Sequence, residues 1–189
     1  MLKTNTKTLV LMSVLAAMST AFMFFPQFPI LPGFSWLKFD FADIPALLAS
    51  VAINPVAGGI IVVLRGVLHF IIMPDGLLFS EIGNIIVSFA LVVSSGCMSR
   101  YLFKNMLMKH KLLLVLPIAS VIQIGASILS NLYIMIPLYG KFVDFNAIGI
   151  DNYILYGVIP FNLVKDAASC IVFYLLYKYI YPLIQKRLY

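Results

Sequence analysis

Residues 55–73 read PVAGGIIVVLRGVLHFIIM: nineteen residues in which Arg65 and His69 are the only strongly polar side chains. As a helix this stretch is about 28 Å long, close to the roughly 30 Å of hydrocarbon in a bilayer. The Asn54-Pro55 pair ahead of it is a turn signal, and another apolar run precedes that turn. Working outward gives six apolar spans, roughly 8–25, 41–54, 55–73, 80–103, 112–137 and 153–181. The second is short, so the Pro-rich segment before it matters.

Composition supports this reading. Of 189 residues, 62% are hydrophobic and 11% charged, against about 45–50% and about 25% in soluble domains. The expected fold is an all-α membrane protein of six transmembrane helices, forming one domain over residues 1–189. Lys and Arg stay on the cytoplasmic side, and with both termini inside that side holds Lys3, Lys7, Arg100, Lys104, Lys109, Lys111, Lys178, Lys186 and Arg187. The external segments hold Lys38 and Lys141 beside Asp40, Asp43, Asp75, Asp144 and Asp151. The net charge of +6 is then a topology signal, which argues against nucleic-acid binding. Ser19-Thr20-Ala21 offers a small-x-small cleavage site, but the apolar run continues through Phe22 to Phe25 and reads as a retained span.

Absent motifs narrow the function. There is no G-x-x-x-x-G-K-[ST] phosphate loop, no H-E-x-x-H pair and no G-x-S-x-G elbow. His69 and His110 are far apart, Cys97 and Cys170 stand singly, and no metal site or cofactor is expected. An enzyme is not expected either.

A charge at the bilayer centre costs roughly 2.5–3.5 kcal/mol even on lenient scales, so intramembrane charges need a reason. Glu81 and Asn84 are three residues apart on one helical face. Asn162, Lys165 and Asp166 share another face, and Asn131 lies near Ser127 and Ser130. In the orientation above these groups all fall in the outer halves of their helices. Such Asn and Ser residues can simply join helices by hydrogen bonds, but their clustering suits an externally open pocket for a polar small molecule. Arg65 is expected to snorkel or to bind backbone carbonyls towards the cytoplasmic end.

Residues 26–41, PQFPILPGFSWLKFDF, are too Pro-rich for helix and too apolar for a solvated loop. Leu37, Phe39 and Phe41 alternate with Lys38 and Asp40 as in a strand with one apolar face. An extracellular lid between helices one and two is expected, or a loop lying in the interface through Trp36. In the first span Ser13, Ala17 and Ala21 form a stripe of small residues, which serves close packing inside the chain or against a partner.

Together these residues resemble the substrate-binding S components of energy-coupling factor (ECF) transporters, specifically the riboflavin-binding ones. The resemblance rests on residues 37–47 (LKFDFADIPAL), 54–58 (NPVAG), 81–84 (EIGN), 137–140 (PLYG) and 160–165 (PFNLVK), in order along nearly the whole chain. The Lys38-to-Pro45 stretch is the most specific. The family often has Lys-Asn where this chain has Arg65-Gly66. The resemblance implies a multi-pass prokaryotic cell-membrane protein that captures riboflavin outside and works with a transmembrane coupling subunit and two ATPases. It implies a ligand site drawn from Leu37, Lys38, Phe39, Asp40, Glu81, Asn84, Asn131, Asn162 and Lys165. It also implies that Ala17 and Ala21 face the coupling subunit, on which the protein topples to release vitamin inside. An S component for thiamine or biotin, or a stand-alone ion-coupled carrier using Glu81 or Asp166, remains the alternative.

Overall fold

The computed structural model describes residues 6–73, 78–139, 145 and 149–188, apart from the side chains of residues 78, 79, 139, 182 and 184–188. Lys3, Asp75, Gly140, Lys141 and Asp144 lie outside the described residues, as do the side chains of Lys186 and Arg187. Six helices follow one another: α1 Thr6–Phe24, α2 Asp43–Ala52, α3 Pro55–Ile72, α4 Leu78–Cys97, α5 Met108–Ser130 and α6, which runs through Ile150–Asn152, a π-helical stretch Tyr153–Val158 and Ile159–Leu188. Further π-helical turns extend α4 over Met98–Leu102 and α5 over Asn131–Met135, the latter followed by a helical turn Ile136–Tyr139.

Five of these helices are long and apolar enough to cross a membrane, and α2 is not. The sequence pattern suggests a span over 41–54, but the helix covers ten residues, about 15 Å or half the hydrocarbon thickness. Pro45 sits in its first turn, where a missing N–H is harmless, and residues 42–50 are all buried. α2 is thus a half-length helix enclosed by α1, α3, α4 and α6. Asn54 then turns the chain: its side chain accepts from the Ala57 amide at 2.8 Å, with Pro55 following as the first helical residue.

Close approach between α2, α3 and α4 depends on Gly58 and Gly96. A Cβ on Gly58 would stand 2.5 Å from Ser50 Cβ and 2.7 Å from Val92 Cγ1, and one on Gly96 would collide with the Ser50 hydroxyl. With the space open, Ser50 Oγ donates to Val92 O at 2.6 Å across the helices. Small residues at such crossings are how membrane helices maximise contact where no hydrophobic drive separates helix from lipid.

Between α1 and α2 the chain forms a minimal antiparallel ladder, Phe28–Pro29 (β1) with Lys38–Phe39 (β2), in the register Phe28 opposite Phe39. Turns at Leu31–Phe34 and Phe34–Leu37 fold the excursion back, with Gly33 at φ 86°, a conformation that favours glycine. The expected strand alternation holds only over the two residues of β2, where Lys38 points out and Phe39 is buried between Phe28 and Phe41; Asp40, expected on the outward face, is buried instead.

Candidate functional site

Four charged side chains sit in two pairs inside the bundle. Arg65 Nη1 lies 3.0 Å from Asp43 Oδ1, both side chains under 5% exposed. The rest of the guanidinium is spent on Ser88 Oγ at 2.7 Å and Ser19 Oγ at 3.4 Å. Arg65 therefore does not snorkel. Asp43 at the start of α2 and Arg65 in α3 are eleven residues either side of Asn54, so a tight antiparallel hairpin brings them to the same level. A planar fork with several fixed donors can join α1, α2, α3 and α4 at one point, which an ammonium could not.

The second pair links the segment between α1 and α2, the expected lid, to α6. Lys165 Nζ donates to Asp40 Oδ2 at 2.9 Å. The other carboxylate oxygen accepts from the Ala42 amide at 2.9 Å, holding the turn into α2. Ala42 O in turn accepts from Ser19 Oγ at 2.6 Å. The root of the lid is thereby anchored to both α1 and α6.

Beneath the lid lies a cavity of about 190 Å³. Lys165, Asp43 and Ser88 form one end of its wall. Asn84 and Gly83 come from α4, Gln123, Ser127, Ser130 and Asn131 from α5, and Phe161 and Asn162 from α6. Trp36, Leu37, Phe145 and Tyr153 supply the aromatic and apolar cover. The cover is a connected cluster: Phe145 to Tyr153 at 5.0 Å, Phe34 to Tyr153 at 5.8 Å and Trp36 to Tyr153 at 6.3 Å between ring centres. Phe34 and Leu37 pack from the lid against Tyr153 and Val158 of α6.

The structure thus brings together Leu37, Asn84, Asn131, Asn162 and Lys165 from the sequence-derived set, and Asp40 joins them through Lys165. Lys38 is exposed, and Phe39 is buried within the lid, not in the cavity wall. Glu81 is absent from the wall: its Oε1 is 2.9 Å from His69 Nδ1, whose ring stacks at 4.8 Å on Phe24. That contact fastens the ends of α1, α3 and α4 together. The sequence reading missed Gln123, Tyr153, Phe145 and Ser88. A signal existed for the first, since Gln123, Ser127 and Asn131 stand four apart on one face of α5.

The carboxamides are tied to one another. Asn131 Nδ2 donates to Ser127 O at 2.8 Å and its Oδ1 accepts from Tyr153 O–H at 2.9 Å. Asn162 Nδ2 donates to Ser127 Oγ and Val158 O, both at 2.8 Å, and its Oδ1 accepts from Gln123 Nε2 at 2.9 Å. Chemically this is a box with an ammonium at one end, amide and hydroxyl groups along one side, and aromatic surface above. It suits a flat, partly apolar molecule with carbonyl and N–H groups on its edge. Among the described residues no group of three His, Cys, Asp or Glu side chains could hold a metal ion.

A larger depression of about 700 Å³ opens sideways between α3 and α4, lined by Val56, Ile60, Val63, Leu64 and Phe89. These side chains are exposed and belong to the surface that acyl chains would cover. The stripe of Ser13, Ala17 and Ala21 on α1 is exposed as well.

Comparison with known proteins agrees with this architecture. The family described as "ECF transporter, substrate-specific component" matches residues 7–177. A riboflavin transporter RibU of Staphylococcus aureus is 34% identical over 181 residues, covering 91% of this chain and 89% of that protein. The riboflavin transporter FmnP of Bacillus subtilis is 27% identical over 96% of this chain and 95% of its own. A solved structure, described as the S component of a bacterial ECF transporter, superposes with a TM-score of 0.77 at 28% identity, covering 95% of this chain and 98% of the other.

Proposed function

Because the chain belongs to the substrate-specific components of ECF transporters, we propose that it is the riboflavin-capturing membrane subunit of a vitamin uptake system. The observation that carries this reading is the cavity beneath the lid, with Lys165, Asn84 and a carboxamide chain below an aromatic cover. One edge of the flavin ring alternates carbonyl acceptors with an N–H donor. The site presents donors and acceptors of matching kind, and Trp36, Leu37 and Tyr153 offer apolar contact for the ring. The kinship with proteins named riboflavin transporters supports the same ligand.

In this reading the lid side is external and both termini are cytoplasmic, in the cell membrane of a prokaryote. The chain catalyses no reaction, and ATP is consumed by two partner ATPases joined through a membrane-embedded coupling subunit. The exposed Ser13-Ala17-Ala21 stripe supports a place for that subunit, since small residues let a second helix approach closely. Lys38, Phe39 and Glu81 act at a distance from the ligand, the first two through the lid and the third through the helix ends it fastens.

Titration of the detergent-solubilised protein with riboflavin, read by quenching of flavin fluorescence, tests the proposal. Tight saturable quenching is expected, with no response to thiamine or biotin. A protein that binds either of those and ignores riboflavin overturns it. Accumulation of riboflavin by the chain alone in liposomes would favour an ion-coupled carrier instead.

A further inference from the structure

The sideways depression between α3 and α4 has one polar end. Asn54, Arg100 and Tyr101 line it where α3 begins and α4 finishes, and Val56, Ile60, Val63 and Phe89 continue the wall from there. Phe89 leans over Gly59, where a Cβ would stand 2.8 Å from its Cε2, so ring and helix meet with no side chain between them. Arg100 and Phe89 are eleven residues apart, about 16 Å of helix. That is half the hydrocarbon thickness, the depth of one leaflet.

Arg100 is set for an anion. Its Nη1 donates to Ile53 O at 3.0 Å, which holds the side chain at the end of the groove, and among the described residues no carboxylate pairs with it. The remaining guanidinium N–H groups form a planar fork that suits phosphate oxygens. Residues 82–143 contain no Asp or Glu, while Arg100, Lys104, Lys109 and Lys111 follow closely on one another. Tyr101, exposed beside Arg100, is an aromatic of the kind that sits at headgroup level. The apolar wall does not suit a partner helix, which would seek small residues such as the Ser13-Ala17-Ala21 stripe. Val56, Ile60, Val63 and Phe89 are bulky and exposed.

We propose that this groove binds an anionic phospholipid, one acyl chain lying along Val56, Ile60 and Val63 and the phosphate resting on Arg100. The lipid belongs to the leaflet at the end of the molecule opposite the lid, the cytoplasmic one in the reading above. A zwitterionic lipid has the same phosphate but sets a second cation beside Arg100 and Lys104.

The purified protein in detergent, titrated with phosphatidylglycerol or phosphatidylcholine of equal chain length and read by native mass spectrometry as the fraction carrying a lipid, tests this. The ratio of the two affinities is read within each protein, so a general weakening cancels. The unaltered protein is expected to prefer phosphatidylglycerol by about fivefold or more, the share of one cation at an anionic lipid surface. Arg100→Gln should bring the ratio to within about twofold, and Arg100→Lys should restore it. Val63→Trp, which fills the groove from its exposed side, should weaken both lipids alike. Riboflavin titration should be unchanged in all three variants, since neither residue lines the cavity beneath the lid. Equal binding of both lipids by the unaltered protein, or an unchanged ratio in Arg100→Gln, overturns the proposal. So does displacement of the lipid by an equal concentration of glycerol phosphate, which would mark a site for phosphate alone. Lipid binding untouched by Val63→Trp, with loss of the coupling subunit from the co-purified transporter, also overturns it and gives the groove to that subunit.

Discussion

Replacing Asp40 by Asn isolates what its charge does for the lid. Asp40 uses one oxygen on the Ala42 amide and the other on Lys165 Nζ, each at 2.9 Å. An asparagine oxygen can keep the turn bond, but its NH₂ cannot meet an ammonium. The substitution therefore removes the ion pair and spares the turn. Unit charges about 4 Å apart attract by roughly 4 kcal/mol at an effective dielectric constant of 20, before the lost hydration is subtracted. The side chains are 15% and 9% exposed, so the net value should resemble a hydrogen bond to a charged group, about 1.5–3 kcal/mol. If the pair holds the lid in its ligand-binding position, riboflavin affinity falls by roughly ten- to a hundredfold. Fluorescence titration reads this. Asp40→Ala, which also loses the turn, should be weaker still. A double substitution with Lys165→Met should show a loss smaller than the sum of the singles, the signature of direct coupling. Affinity within about threefold of wild type for Asp40→Asn would refute the argument. Unchanged affinity with a lowered thermal midpoint would assign the pair to fold stability and not to the lid.

The Arg65–Asp43 pair should behave differently, because it is deeper and joins four helices. Arg65→Met or Asp43→Asn alone leaves a buried charge without its partner, with an expected destabilisation of about 3–5 kcal/mol in detergent unfolding; Arg65→Lys should not restore it, since one ammonium cannot reach Ser19, Asp43 and Ser88 together. Gly58→Val should abolish folded protein, given that even a Cβ would overlap Ser50 and Val92, whereas Gly125→Ala meets nothing within 4 Å and should be neutral or slightly stabilising. Ala17→Leu and Ala21→Leu, on an exposed face, should spare riboflavin binding by the isolated chain and block uptake in cells with the whole transporter. Loss of binding as well would mean that the stripe packs within the fold.

The five long helices were legible because hydrocarbon thickness forces long apolar runs, and the non-helical excursion between α1 and α2 because prolines exclude a helix from an apolar segment. The polar contacts were legible only in part. His69 and Glu81 each stand six residues from Asp75, a symmetry that pairs them once a hairpin is assumed. Lys165 and Asp40 are 125 residues apart, and local spacing offered Lys165 the nearer Asp166 instead. Gln123 escaped because one amide among Val121, Ile122 and Ile124 has no charge to mark it. Its hydrogen bond to Asn162 crosses the gap between α5 and α6, which no local spacing shows. Tyr153 and Phe145 look like any interfacial aromatics until Trp36 arrives from the lid.

The short second helix explains why there is a cavity at all. Had residues 41–54 formed a full span, its upper turns would fill the column between α4, α5 and α6 that the cavity occupies. Instead the helix begins at Asp43, level with Arg65 midway along α3, and the chain above it is extended. Extended backbone at membrane depth is tolerated only where protein encloses it. Here Phe28, Phe39 and Phe41 enclose it on one side and α6 on the other. Removing half a helix leaves room for a ligand and sets the buried N-terminus of α2 at the cavity wall, its Asp43 neutralised by Arg65. It also places the lid root at Ala42, bonded to Ser19 on the inner face of the helix whose outer face carries Ala17 and Ala21. The chain that enters α2 beside the cavity and the proposed partner surface thus meet α1 on opposite faces, although α1 itself lends no residue to the cavity wall.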